Sequence, residues 1–474
     1  MKIEQIYTGC LAEAAYYIES EGEVAIIDPL RETKPYIERA AKDGAKIKYI
    51  LETHFHADFV SGHLDLSHKT GATIVFGPTA SPSYAAYIAK DEEVIKLGAI
   101  YLKVLHTPGH TLESTTYLLI DESGKEHAIF TGDTLFIGDV GRPDLVQKLK
   151  AEVTPQYLAK QLYASLRNKI MPLKDDVIVY PGHGAGSACG KSMSKDTVDT
   201  LGHQKKFNYA LRADMTEEEF VKEVTDGLVE PPQYFPANVL MNLRGGVESI
   251  DNIIQRGTQP LSVKEFQTIW ETLEALVIDT RKKEAFAKCH IPGSIFIGLD
   301  DQFAPWVGAL VTDLEQPILL ITEEGREEEA VIRLSRVGYD HTMGFLKGGL
   351  DAWIDSKQEV DSLEECEAVD FAKLYSETGN NLNLLDVRRK SEFDTVHLLG
   401  AVNFPLDFIN KNMAMLDKSK KYYIQCAGGF RSVIASSILK SRGFHNLVNI
   451  KGGYKALAET NMKKTEFHQQ NTAL

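Results

Sequence analysis

Residues 53–63 read Thr-His-Phe-His-Ala-Asp-Phe-Val-Ser-Gly-His. A short apolar run, Tyr49–Leu51, leads into them. Three metal-capable side chains then fall at alternate positions: His54, His56 and Asp58. Phe59 follows, and a phenylalanine cannot ligate a metal.

Similar junctions recur along the first half of the chain. Val24–Ile27, Tyr49–Leu51, Val104–Leu105, Ile129–Thr131 and Val177–Tyr180 are short runs of strand type. Polar residues come after them: Asp28, His54 to Asp58, His110 in Thr-Pro-Gly-His-Thr, Asp133 in Thr-Gly-Asp-Thr, and His183 in Pro-Gly-His-Gly. Any one of these residues alone reads as a satisfied structural group. Five in series, each after a strand, point to a rigid sheet aiming ligands into one cleft.

The pattern Thr-His-Phe-His-Ala-Asp, Thr-Pro-Gly-His-Thr, Thr-Gly-Asp and Pro-Gly-His resembles the metallo-β-lactamase superfamily over residues 1–240. The resemblance implies an αββα sandwich with a metal at one edge of its sheets. The superfamily motif His-x-His-x-Asp-His ends in Phe59 here, so the second metal of a hydrolytic pair loses a ligand. That departure, with Gly138-Asp139-Val140-Gly141-Arg142-Pro143-Asp144, resembles the persulfide dioxygenase branch more than the glyoxalase II branch. By motif, the resemblance implies one Fe(II) per chain on His54, His110 and Asp133. It leaves His56, Asp58 and His183 as supporting residues and Arg142 as a candidate anchor for an anionic thiol substrate. Two histidines and a carboxylate on one face of an octahedral ion leave three positions open, the arrangement of non-haem Fe(II) oxygenases. Cys189, near His183 in sequence, reads as an inert buried thiol.

Breaker residues from Glu230 to Pro260 place a linker at 241–262. Beyond it the chain repeats itself. Val277-Ile278-Asp279-Thr280-Arg281 returns about a hundred residues later as Leu384-Leu385-Asp386-Val387-Arg388, and Lys347-Gly348-Gly349 returns as Lys451-Gly452-Gly453. A period this long indicates two tandem α/β domains with parallel sheets, at 263–360 and 365–465.

The second copy carries Ile424-Gln425-Cys426-Ala427-Gly428-Gly429-Phe430-Arg431-Ser432. A strand enters Cys426, glycines follow, and a helix opens. The order wraps backbone N–H groups around a sulfur and favours an anion there. It resembles the rhodanese loop, Cys-x-x-Gly-x-Arg-Ser, which implies a sulfurtransferase nucleophile at Cys426 with Gly428, Gly429 and Arg431 about the substrate. The first copy reads Leu320-Ile321-Thr322-Glu323-Glu324-Gly325-Arg326-Glu327-Glu328-Glu329. Either Ile321 or Thr322 takes the cysteine position, and five glutamates would repel a sulfur anion. This copy is expected to be inactive.

Composition bounds the partners. The chain of 474 residues is 43% hydrophobic and 25% charged, with a net charge of −15, which argues against nucleic acid. No apolar run reaches bilayer length. The start, Met1-Lys2-Ile3-Glu4-Gln5, has no signal-like core, and a cytoplasmic location is expected. Five widely spaced cysteines suggest no disulfide framework. The expected fold class is therefore multidomain α/β: a sandwich followed by two rhodanese domains. The expected activity is oxidation of a low-molecular-weight thiol persulfide (glutathione, coenzyme A or a similar carrier) by O₂ to sulfite and thiol. It is coupled to exchange between persulfide, sulfite and thiosulfate at Cys426. The rival is a zinc thioester hydrolase of glyoxalase II type. The sequence leaves the carrier thiol, a homo-oligomeric state and the direction of exchange open.

Overall fold

The computed structural model describes residues 1–145, 152–378 and 382–467. Residues Met1–Ile250 form the bulk of one compact unit and the chain from Asp251 the bulk of a second.

The first unit holds two six-stranded sheets. One runs in the order β1 (Lys2–Thr8), β2 (Glu13–Ser20), β3 (Glu23–Ile27), β4 (Lys46–Leu51), β5 (Thr73–Phe76), β6 (Tyr87–Ile88). The other runs from β7 (Val94–Leu97) through β8 (Ile100–His106), β9 (Thr115–Ile120), β10 (Glu126–Gly132) and β11 (Ile178–Pro181) to β12 (Asp199–Thr200). Alternation along each strand sends side chains to opposite faces. Tyr16, Ile18, Ile27, Leu51 and Val75 of the first sheet meet Leu102, Val104, Tyr117, Leu119 and Phe130 of the second in one buried core. The opposite faces are covered by helices. Tyr36, Ala40 and Leu66 pack against Tyr17, Ile26 and Ile50, and Ala159, Leu162 and Phe220 lie on the outer side of the second sheet. The layers are αββα.

Each sheet has a pair of parallel neighbours, β3 with β4 and β10 with β11. Parallel strands end on the same side, so the residues after them leave the sheets together. Asp28, His54, Asp133 and His183 all follow such ends, and His110 lies in the connection between β8 and β9.

The stretch 241–262, expected as a linker, is largely helical. Helix Phe235–Arg244 runs into it, helix Ile250–Gly257 fills its centre, and β13 (Pro260–Leu261) closes it. Breakers mark the gap between the helices, but Ile250 and Ile253 of the second helix are buried.

The second unit holds two five-stranded, all-parallel sheets. The first has the order β13, β17 (Thr342–Leu346), β16 (Ile318–Ile321), β14 (Leu276–Asp279), β15 (Ile295–Phe296). The second has the order β18 (Glu364–Cys366), β22 (Leu447–Ile450), β21 (Tyr422–Gln425), β19 (Asn383–Asp386), β20 (Ala401–Asn403). The internal repeat is thus a repeat of topology. No helix among the described residues is long and apolar enough to cross a membrane.

Candidate metal centre and sulfur-transfer loop

His54, His110 and Asp133 converge, with ligand atoms all within 4.8 Å of one another, and all three are buried. His54 Nε2 lies 3.9 Å and His110 Nε2 3.4 Å from Asp133 Oδ2. Each histidine is held by its other nitrogen. His110 Nδ1 is 2.9 Å from the carbonyl of Arg142, which can only accept, so Nδ1 donates there and Nε2 is the nitrogen turned toward Asp133. The Thr53 hydroxyl donates to Asp28 Oδ2 at 2.8 Å and therefore accepts from His54 Nδ1 at 2.9 Å. Asp28 also accepts from the Thr53 N–H at 2.7 Å. This outer layer fixes the ring orientation and the tautomer that ligation requires.

Asp133 is fixed in the same way. His183 Nδ1 donates to Asp133 Oδ1 at 2.8 Å, and His183 Nε2 donates to Asp58 Oδ2 at 2.7 Å. Burial alone would push the His183 pKa down; the Asp133 and Asp58 carboxylates more than offset it and hold it well above the ordinary range. With both nitrogens donating, His183 has no lone pair for a metal. Asp133 Oδ2 is left buried without a hydrogen-bond partner. An orphaned carboxylate oxygen facing two imidazole nitrogens is a donor set that fits one cation.

His56 turns elsewhere. Its Nε2 lies 3.1 Å from Asp28 and 3.6 Å from Glu52, and its ring packs 4.2 Å from the ring of Phe59. Burial alone would lower its pKa, but Asp28 and Glu52 raise it to about 9. The structure thus separates the residues of the opening motif. His54 joins the triad, Asp58 supports it through His183, and His56 belongs to a neighbouring acidic pocket with Asp28 and Glu52.

Two glycines and an asparagine let these parts approach. Gly132 has φ +48°, and a Cβ there would stand 2.4 Å from Thr53 Oγ1. A Cβ on Gly141 would meet the Asp133 carbonyl at 2.0 Å and His110 Nδ1 at 2.9 Å. Asn242, inside the expected linker, donates to the carbonyls of His56 and Phe59, both at 2.8 Å, and accepts from the Ser61 N–H at 2.9 Å. It clamps the loop that bears His54 from a distance in sequence that no local motif reveals.

The Arg142 guanidinium, read as a substrate anchor, is buried and committed. It pairs with both oxygens of Asp144 at 2.7 and 2.8 Å and donates to the carbonyls of Ala188 and Val229. Its described contacts are internal, and its link to the metal triad is its carbonyl on His110. Cys189 sits with Asp58 and His183. Burial, with those carboxylates near, pushes its thiol well above the usual range, which keeps it protonated.

In the last domain, β21 delivers Cys426 to a loop that turns at Gly429, φ +95°, into helix Phe430–Ser441. The Gly429 N–H donates to Cys426 Sγ at 3.1 Å, and Ser432 Oγ is 3.7 Å from the sulfur. Gly428 forms the exposed outer turn. Arg431 is again committed: its two terminal nitrogens donate to the Glu392 carboxylate at 2.6 and 2.8 Å. It braces the loop rather than facing outward from it.

The sheet register decides which residue of the middle domain stands at the cysteine position. Asp386 of β19 pairs with Gln425, and Asp279 of β14 pairs with Ile321. Cys426 follows the first pair and Thr322 the second. Thr322, with a buried hydroxyl and no thiol, is therefore the counterpart.

Comparison with known proteins agrees with this arrangement. The family model described as metallo-beta-lactamase superfamily matches residues 8–183, and that described as rhodanese-like domain matches 262–356 and 368–460. Probable hydroxyacylglutathione hydrolase glo2 of Schizosaccharomyces pombe is 36% identical over 208 residues, covering 39% of this chain and 75% of that protein. The human mitochondrial persulfide dioxygenase ETHE1 is 31% identical over 229 residues, covering 48% and 81%. A crystal structure of a metallo-beta-lactamase from Staphylococcus aureus is similar with a TM-score of 0.64 at 33% identity, covering 73% of this chain and 98% of that one. The two-sheet sandwich, the ligands at its strand ends and the paired parallel sheets that follow make this chain a member of the metallo-β-lactamase superfamily, in a form that carries two rhodanese-like domains.

Proposed function

We propose that the chain is an iron-dependent persulfide dioxygenase coupled to a sulfurtransferase. The observation that carries the reading is a buried set of two imidazole nitrogens and one orphaned carboxylate oxygen, with phenylalanine in place of the next ligand of the motif. His54, His110 and Asp133 would hold one ferrous ion. When bound, that ion supplies redox chemistry toward O₂ and open positions for a sulfur donor. The protein's part is orientation: Thr53, the Arg142 carbonyl and His183 each lock one ligand. The net reaction takes a thiol persulfide, O₂ and one water to the thiol, sulfite and two protons. The terminal sulfur is oxidised, O₂ is reduced, and the sulfur–sulfur bond is broken.

At Cys426 the thiolate attacks the outer sulfur of thiosulfate. A sulfur–sulfur bond forms to the cysteine, the one within thiosulfate breaks, and sulfite leaves with its electron pair; the reverse consumes sulfite. The Gly429 N–H and the start of helix Phe430–Ser441 favour negative sulfur throughout. Likeness to the human persulfide dioxygenase supports the first activity and the rhodanese-like match the second.

The relative named as a hydroxyacylglutathione hydrolase favours a second reading, zinc-dependent thioester hydrolysis. Phe59 and the withdrawal of His56 toward Asp28 weigh against the two-metal form of it. The deciding experiment is oxygen consumption by anaerobically iron-loaded protein given glutathione or coenzyme A persulfide, with sulfite quantified. Uptake matched by sulfite is expected. No uptake, with turnover of a glutathione thioester by a zinc-loaded sample, would replace the dioxygenase by the hydrolase.

A further inference from the structure

The middle rhodanese-like domain has no thiol at its loop, yet it is seated against the loop that has one. Its Phe296 packs edge-on against Phe430, the residue that opens the helix after Cys426, with ring centres 5.5 Å apart. The Phe296 N–H and Ser437 Oγ, one on each domain, are hydrogen-bonded at 3.0 Å in a buried contact. A Cβ on Gly298 would come within 3.1 Å of the same Phe430 ring. This contact brings a cation to the rim of the sulfur site. Lys283 Nζ donates to the Gly428 carbonyl at 3.2 Å and lies 3.5 Å from where a Cβ on Gly429 would stand. The side chain is one-third exposed, and its nearest carboxylate oxygen, on the solvent-facing Glu284, is 3.8 Å away.

Two arginines of the last domain are differently placed. Arg431 is held bidentate by Glu392, and Arg388 is held by Asp386. Their charge is spent on internal carboxylates. The Lys283 ammonium instead lies beside the Gly428–Gly429 turn, whose Gly429 N–H donates to the sulfur. A lysine there acts as a point charge on a flexible stem, suited to an anion that must arrive and leave.

We infer that Lys283 of the middle domain is an anion-binding residue of the Cys426 site, and that the thiol-less domain completes that site by supplying a charge for sulfur oxyanions such as thiosulfate and sulfite. The assignment rests on Cys426 being the sulfur-transfer nucleophile. It gives the middle domain a function that its own loop lacks: Thr322 offers no thiol, while Lys283, just past the end of that domain's strand β14, reaches the Gly428 carbonyl of its neighbour's loop.

The test uses the full chain and two reagents of similar size, anionic iodoacetate and neutral iodoacetamide, with labelling of Cys426 followed by peptide mass spectrometry. Lys283→Met is expected to slow iodoacetate about five- to tenfold, the effect of roughly one lost charge contact. Iodoacetamide should be unchanged, and Lys283→Arg should restore the wild-type ratio. Salt should erode the wild-type preference and leave Lys283→Met flat. In parallel, KM for thiosulfate should rise by a similar factor with kcat held within about twofold. Equal slowing of both reagents would mean a structural role and overturn the inference, as would no change in either. If wild-type Cys426 acquires no sulfur from thiosulfate, the sulfurtransferase reading falls by itself, while the reagent ratio still judges whether Lys283 draws anions to that cysteine.

Discussion

At residue scale, the candidate metal centre depends as much on who occupies the far nitrogen of each histidine as on the three candidate ligands. Thr53 is the clearest case, since its hydroxyl passes one hydrogen bond from His54 to Asp28. Thr53→Val keeps the shape and removes that link. Metal affinity is expected to fall about 10- to 100-fold, the usual cost of losing such a partner, which a competition titration with a metal chelator would measure. A second substitution separates motif from geometry. Phe59→His restores the full ligand pattern on paper, but His56 is held by Asp28 and Glu52, and Asp58 is held by His183. Metal content of zinc-grown protein should therefore stay near one per chain. A rise to two would mean that the acidic pocket does not restrain His56.

At the scale of elements, helix Phe235–Arg244 has a task that its sequence hides. Asn242 satisfies two carbonyls and one N–H of the loop bearing His54, and all three bonds are buried. Asn242→Ala would leave those groups unpaired, and each unsatisfied group costs about 1–3 kcal/mol. The expected results are a lowered midpoint for the first unfolding transition and faster loss of metal to chelator. A stable variant with loose metal would mean that the loop is held mainly by packing. Asn242→Asp keeps the acceptor for Ser61 and loses both donors, so it should fall near the alanine variant. The loop after β21 illustrates the opposite case. Its strand, cysteine, glycines and helix are contiguous, and the local order alone conveys the arrangement later found around Cys426.

For the whole molecule, the two candidate centres stand on separately built sheets. Sites with no shared partners contribute independently. Cys426→Ser is expected to abolish sulfur transfer from thiosulfate while leaving persulfide-dependent oxygen uptake within about twofold. His54→Ala should do the reverse. Product analysis of the two variants and their combination checks this, and loss of both activities in either single variant would contradict separate centres.

The strand-then-ligand rhythm of the first half, the candidate triad of His54, His110 and Asp133, the tandem repeat and the Cys426 loop are all legible along the chain. These are local: a strand end, a glycine and a donor are neighbours in the chain, and their spacing carries the chemistry. Tertiary structure decided what depends on long-range partners. It turned His56 toward Asp28, closed both nitrogens of His183 onto carboxylates, and tied the guanidinium groups of Arg142 and Arg431 to Asp144 and Glu392. It made helices of most of the expected linker, selected Thr322 over Ile321 through strand register, and brought Lys283 beside Gly428. The physical reason is common to all of these. A charged or hydrogen-bonding side chain taken out of water must be satisfied by whatever the fold places next to it, and that neighbour is set by packing between segments far apart in the chain.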